Sequence, residues 1–183
     1  MEFREQKHLS FSSQTVGKII VFSLFIFLCA TAQSSLFPAS GFFSASPDLV
    51  LCAVVGLAVY DGEKSGAVAG IGGGMLVEAF GGGAHILMFP LFYMLIGFTY
   101  GILTRIFLNK NFLSWVVYML IAVSAREVLS LIHIFVTESD LNLLLAFTEI
   151  ILPEFVITLI FSIPLYFISR VCARPFHKKI EMD

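Results

Sequence analysis

Residues 16–37, VGKIIVFSLFIFLCATAQSSLF, form an almost continuous apolar run of 22 residues. At about 1.5 Å of rise per helical residue, such a run crosses the roughly 30 Å hydrocarbon core of a bilayer. The same stretch also has the layout of a signal peptide, with an h-region over Ile19 to Leu28 followed by the small-x-small pattern Ala30-Thr31-Ala32. The spanning reading is preferred, because everything downstream is hydrophobic too and a first helix that starts insertion need not be removed.

Composition extends that reading to the whole chain. Of 183 residues, 58% are apolar and only 13% charged, and the mean hydropathy is +0.93. Too little polar surface remains to clothe a soluble globule. At roughly 20 apolar residues per crossing, the chain has room for about six spans and no extra-membrane domain. The net charge of -2, with no basic block longer than Lys178-Lys179, excludes a nucleic-acid partner. Cys29, Cys52 and Cys172 are far apart, each inside an apolar run and without metal-ligand spacing, so they read as small packing residues.

Beyond residue 37 the apolar runs are easily counted. Ser40 to Pro47 is a small-residue loop. Two short runs follow Asp48, Leu49 to Tyr60 and Ser65 to Phe80, separated by the turn-like Asp61-Gly62-Glu63-Lys64. The first has 12 residues, about 18 Å as a helix, so it needs its flanks, a thinned bilayer or a re-entrant path. His85 to Phe107 and Phe112 to Phe135 are the next runs, and Leu141 to Val171 is the last. At 31 residues the last is too long for one upright span; Pro153 divides it into an interfacial stretch and a crossing that begins near Phe155. The expected fold is an all-α integral membrane protein, a compact bundle of six transmembrane helices near 16–37, 48–60, 65–80, 85–107, 112–135 and 150–171. This domain, 16–172, lies between a polar tail, 1–15, and a basic tail, 173–183.

Orientation follows from the basic residues. Loops 38–48, 81–84 and 136–140 contain no Lys or Arg, whereas the two tails, the other turns and the adjoining helix ends hold ten of the eleven: Arg4, Lys7, Lys18, Lys64, Arg105, Lys110, Arg170, Arg174, Lys178 and Lys179. Both termini and the turns at 61–64 and 108–111 are therefore expected in the cytoplasm. A re-entrant hairpin over the two short runs would leave that parity unchanged.

Small residues recur in the third run. Gly62, Gly66, Gly70 and Gly74 are four apart and are followed at the same interval by Glu78. They form a groove along one helix face, drifting about 40° per step. A neighbouring backbone can approach such a groove and gain dispersion contacts, and Gly97 and Gly101 in the fourth run supply a matching pair. The alternative is that these glycines line a substrate site near the midplane, as in discontinuous transporter helices. Gly72-Gly73-Gly74-Met75 lacks the Gly-Lys-Ser/Thr of a phosphate-binding loop. Glu78, near the outer end of its helix, reads as hydrated or as a cap for the next helix rather than a proton carrier.

The costly charges are Arg126 and Glu127 in the fifth run. Arg126 lies nine residues inside Phe135, about 14 Å deep, where a lone cation costs at least about 2.5 kcal/mol. Glu127 projects about 100° away and is poorly placed to be its partner. Glu149, at matching depth, and then Glu154 are the expected partners, tying the fifth helix to the sixth; the alternative is that Arg126 snorkels to water. His85 and His133 flank external turns and propose no metal site. No cofactor is expected. There is no His-Glu-x-x-His and no nucleophile turn, and Asp48, Asp61, Asp140 and Asp183 all fall in loops or at a tail, so enzymatic activity is not expected.

From Pro47-Asp48-Leu49 through Val59-Tyr60, the charged turn, Gly70-x-x-x-Gly74 and Val77-Glu78-Ala79-Phe80 to a glycine-rich turn, the chain resembles the bacterial rod shape-determining membrane proteins of the MreD family. Leu152-Pro153, Ile163-Pro164-Leu165-Tyr166 and the basic exit Arg170 to Arg174 look like that family's last helix. The likeness covers Ser46 to Arg174. It departs from the family at Glu78, where Asp is common, and in its longer, more polar N-terminal tail. What the resemblance implies is a non-enzymatic inner-membrane scaffold of the cell-elongation machinery. Its partners would be MreC, the actin-like MreB, RodA and a penicillin-binding transpeptidase, in lateral peptidoglycan synthesis. The competing class is the vitamin-binding membrane component of an energy-coupling transporter, to which the same family is similar in helix count and general fold.

Overall fold

The computed structural model describes residues 2–36, 46–81, 88–106, 111–137 and 147–177, with side chains described for 16–35, 46–81, 88–106, 111–132, 147–148 and 151–173. Among these residues there are six α-helices and no strand: α1 Glu2–Leu36, α2 Leu49–Asp61, α3 Glu63–Phe80, α4 Met88–Ile106, α5 Phe112–Thr137 and α6 Leu152–His177. A π-helical turn, Phe147–Ile151, leads into the last. Four stretches, Val16–Ser35, Met88–Ile106, Phe112–Ile132 and Leu152–Ala173, are long and apolar enough to cross a bilayer. The chain is a helical membrane protein.

Several boundaries differ from those expected. The polar stretch before Val16 is helical back to Glu2; it contains neither Gly nor Pro, and extending an existing helix costs far less than nucleating one. The turn between α2 and α3 shrinks to Gly62, whose φ of 99° lets the chain reverse at one residue. Glu63 thereby joins the first turn of α3, where a carboxylate favours the helix dipole. Helix α6 begins at Leu152, close to the expected 150, and continues to His177. Pro153 falls just where the π-helical turn passes into α6, a place where the helical hydrogen-bond ladder is already irregular and a residue without an N–H is accommodated. The interfacial course expected for 141–146 lies outside the described residues.

Helix α2 decides the architecture. With 13 residues it is about 20 Å long, too short for the hydrocarbon core by a third. In contact with lipid, its terminal N–H and C=O groups would go unsatisfied. The structure instead surrounds it: every residue from Leu49 to Tyr60 is buried, with α1, α3, α4, α5 and α6 all against it. Its first N–H donors are fully accounted for. Leu49 N–H donates to Pro47 O at 3.1 Å, Cys52 N–H to Asp48 O at 3.3 Å, Val50 N–H to Gln33 Oε1 at 3.3 Å, and Leu51 N–H to Asp48 Oδ1 at 2.9 Å. Asp61 at the other end is 2.6 Å from Lys18 Nζ on α1.

Helices α3 and α4 pack most extensively, and glycine is the reason. A Cβ built on Gly66 would lie 2.5 Å from Gly97 O, one on Gly70 2.6 Å from Met94 N, and one on Gly74 2.5 Å from Pro90 N. From the other side, a Cβ on Gly97 would meet Gly66 C at 2.5 Å and one on Gly101 would meet Gly62 C at 2.8 Å. All five glycines thus face helix backbone rather than a cavity. In a bilayer such close approach supplies the packing energy that exclusion from water supplies to a soluble core. At the Lys18–Asp61 end, Tyr166 of α6 gathers the rings of Tyr60, Phe112 and Trp115 at 5.4 to 5.9 Å. Toward lipid the long helices expose apolar stripes, such as Leu91, Leu95 and Phe98 on α4 and Val156, Ile160 and Ile163 on α6.

Candidate functional site

The buried N-terminus of α2 brings its capping residue inside. Asp48 stands immediately before a helix with no exposed face, so its carboxylate is only 1% exposed. One oxygen caps Leu51 N–H at 2.9 Å, and the other accepts a hydrogen bond from the Tyr93 hydroxyl of α4. Asp48 N–H donates to Thr158 Oγ1 of α6 at 3.1 Å. The capping contact also places a negative charge at the positive end of the α2 dipole.

Arg126 of α5 completes the cluster. Its Nη2 is 2.7 Å from Glu154 Oε1, its Nη1 3.0 Å from Glu127 Oε1, and its Nε 3.5 Å from Asp48 Oδ2. The side chains are 12%, 12%, 7% and 1% exposed for Arg126, Glu154, Glu127 and Asp48, so the attraction works with little screening by water. One guanidinium therefore meets three carboxylates and holds together α2, α5 and α6, while Tyr93 adds α4. Glu154 gains again from its place in the first turn of α6. Among the described atoms, Glu127 Oε2 is buried without a hydrogen-bond partner.

The expected α5 to α6 ion pair is present through Glu154. Glu149, the partner expected first, has its side chain outside the described residues, as do His133 and Arg174; His85, Lys178 and Lys179 lie wholly outside them. The snorkelling alternative fails, because Arg126 turns into the bundle. Glu127 corrects the expectation that it would stand apart. Neighbouring Cα–Cβ bonds do diverge by about 100°, but the Arg fork lies at the end of a long stem and carries five donors, so it spans two carboxylates at once. Glu78 accepts a hydrogen bond from Phe89 N–H at 3.1 Å and so ties the end of α3 to the start of α4.

Asp48 does lie in the loop before α2, but that loop residue is buried; Asp48 and Tyr93 are the two members of the cluster that the sequence does not single out as site residues. A signal was available: an Asp directly before an apolar run too short to face lipid must cap that run wherever it is buried. Nothing local marked Tyr93.

The cluster's residues come from α4, α5, α6 and the residue that caps α2, whereas the groove between α1 and α3 is lined by other side chains. Among the described residues, no group of three or more His, Cys, Asp and Glu side chains is arranged to hold a metal ion. No protein-family model matches this chain, and neither a curated protein nor a solved structure does.

Proposed function

We propose that this chain is a non-enzymatic, multi-pass scaffold of the bacterial inner membrane, acting in the cell-elongation machinery as the MreD proteins it resembles do. In this reading α1 to α6 are six crossings with both termini cytoplasmic, α2 and α3 being the second and third. The chain joins an MreC-like protein, and through it MreB, RodA and a penicillin-binding transpeptidase, to lateral peptidoglycan synthesis.

The observation that carries the reading is the Asp48–Arg126–Glu154 cluster around a fully buried α2. Charged bonds join four helices at one level, and the α3–α4 glycines lock a further pair, so the bundle is suited to act as a rigid body. Its exposed surface on the four long helices is apolar. Such a body meets partners sideways in the bilayer, through helix faces, and the resemblance supplies which partners those are.

The experiment is affinity purification of the full-length tagged chain from its native membrane, with depletion microscopy. An MreC-like protein copurifying, with cells rounding on depletion, is the expected result. Copurification of an ATP-driven energising module instead, with shape unaffected, overturns the scaffold reading in favour of a vitamin-type solute-binding component.

A further inference from the structure

A groove of about 410 Å³ runs between α1 and α3 on the side of the bundle. Phe22, Ile26, Val68 and Leu76 form its apolar walls, and Gly72 leaves it open, because a Cβ there would meet nothing within 4 Å. At one end stand Lys18, Lys64 and Ser65. Lys64 to Leu76 covers about 18 Å of helix axis, close to the roughly 15 Å depth of one hydrocarbon leaflet.

Among the described residues, the charge at the lysine end is only partly neutralised. Lys18 Nζ meets Asp61 at 2.6 Å yet keeps 29% side-chain exposure, and an ammonium has three donors to offer. Lys64 is exposed and makes no ion pair among the described residues. An apolar slot ending in two ammonium groups and a hydroxyl suits an amphiphile with a negative head.

We infer that this groove holds one acyl chain of an anionic phospholipid, with the phosphate on Lys64, Lys18 and Ser65. The inference is independent of the scaffold reading. A basic pocket between helices recognises such a head group by charge, while the walls exchange one hydrocarbon contact for another and set the chain's position. The bound lipid belongs to the leaflet at the lysine end.

The test is native mass spectrometry of the purified full-length chain in detergent with phosphatidylglycerol or phosphatidylcholine of the same acyl chains. The wild type retains one phosphatidylglycerol in clear preference to phosphatidylcholine. Lys64→Gln lowers that retention about fivefold, the effect of one lysine near a lipid head group. Gly72→Leu abolishes it without lowering the thermal unfolding temperature, because the new side chain enters open space and leucine favours the helix. Equal retention of the two lipids, retention by Gly72→Leu, or no effect of Lys64→Gln overturns the inference. Loss of phosphatidylglycerol to millimolar inorganic phosphate also overturns it, assigning the lysines to a free anion. Absence of any lipid from the wild type leaves the groove to another occupant and is equally fatal.

Discussion

Arg126 Nη2 on α5 lies 2.7 Å from Glu154 Oε1 in the first turn of α6, with each side chain 12% exposed. This contact adds a charged tie between two helices that also meet where Tyr166 of α6 packs on Phe112 and Trp115 of α5, and Asp48 and Glu127 share the same guanidinium. Taking charge out of water is expensive, so the pair is less important for the energy it adds than for the penalty that follows when one partner is removed.

Arg126→Met is expected to lower stability by about 3–5 kcal/mol, since three carboxylates lose the only cation the structure gives them among the described residues. Thermal unfolding of the purified protein in detergent measures it. Adding Glu154→Gln to Arg126→Met should recover part of the loss, and strict additivity of the two changes would show that they do not interact.

Asp48→Ala removes a helix cap, worth about 1 kcal/mol, and orphans the buried Tyr93 hydroxyl, worth a further 1–3 kcal/mol or so. Asp48→Asn keeps an oxygen for Leu51 N–H and should be the milder change. Tyr93→Phe should cost about 1–1.5 kcal/mol. The expected order of melting temperatures is wild type, Tyr93→Phe, Asp48→Asn, Asp48→Ala.

Two glycines on α3 should respond in opposite directions. A methyl on Gly70 would be driven into the backbone of α4, costing about 1–3 kcal/mol in displaced packing. A methyl on Gly72 meets nothing within 4 Å, and replacing glycine by alanine in a helix then stabilises by about 0.5–1 kcal/mol. Parallel unfolding curves of the two alanine variants settle the point.

Glu78→Ala removes the acceptor for Phe89 N–H and should cost about 1 kcal/mol, with fraying at the start of α4. Glu78→Gln, which keeps an oxygen in place, should lose much less. Hydrogen exchange at the first amides of α4 distinguishes them.

The boundaries show how far hydropathy reaches. Run lengths located the helices: four because a bilayer demands about 20 apolar residues from a segment that crosses it, and α2 and α3 as shorter runs set off by turn residues. The four-residue glycine period on α3 and the pair Gly97 and Gly101 on α4 were likewise legible, because helical spacing alone puts them on one face. Less legible was the start of α1 at Glu2, where nothing apolar signals a helix and only the absence of a breaker permits one.

What the sequence by itself determined was the solvent: lipid for the long runs, and a paired environment for any charge caught inside them. Both follow from short-range facts, the length of a run and the position of a charge within it. That α2 became the enclosed centre, that Asp48 went inside with it, and that Arg126 chose Glu154 together with its own neighbour Glu127 were decided by tertiary structure. Those outcomes depend on which helices stand side by side. The free energy of a buried charge is set by partners distant along the chain, as Tyr93, Arg126 and Thr158 are from Asp48, and no local pattern specifies them.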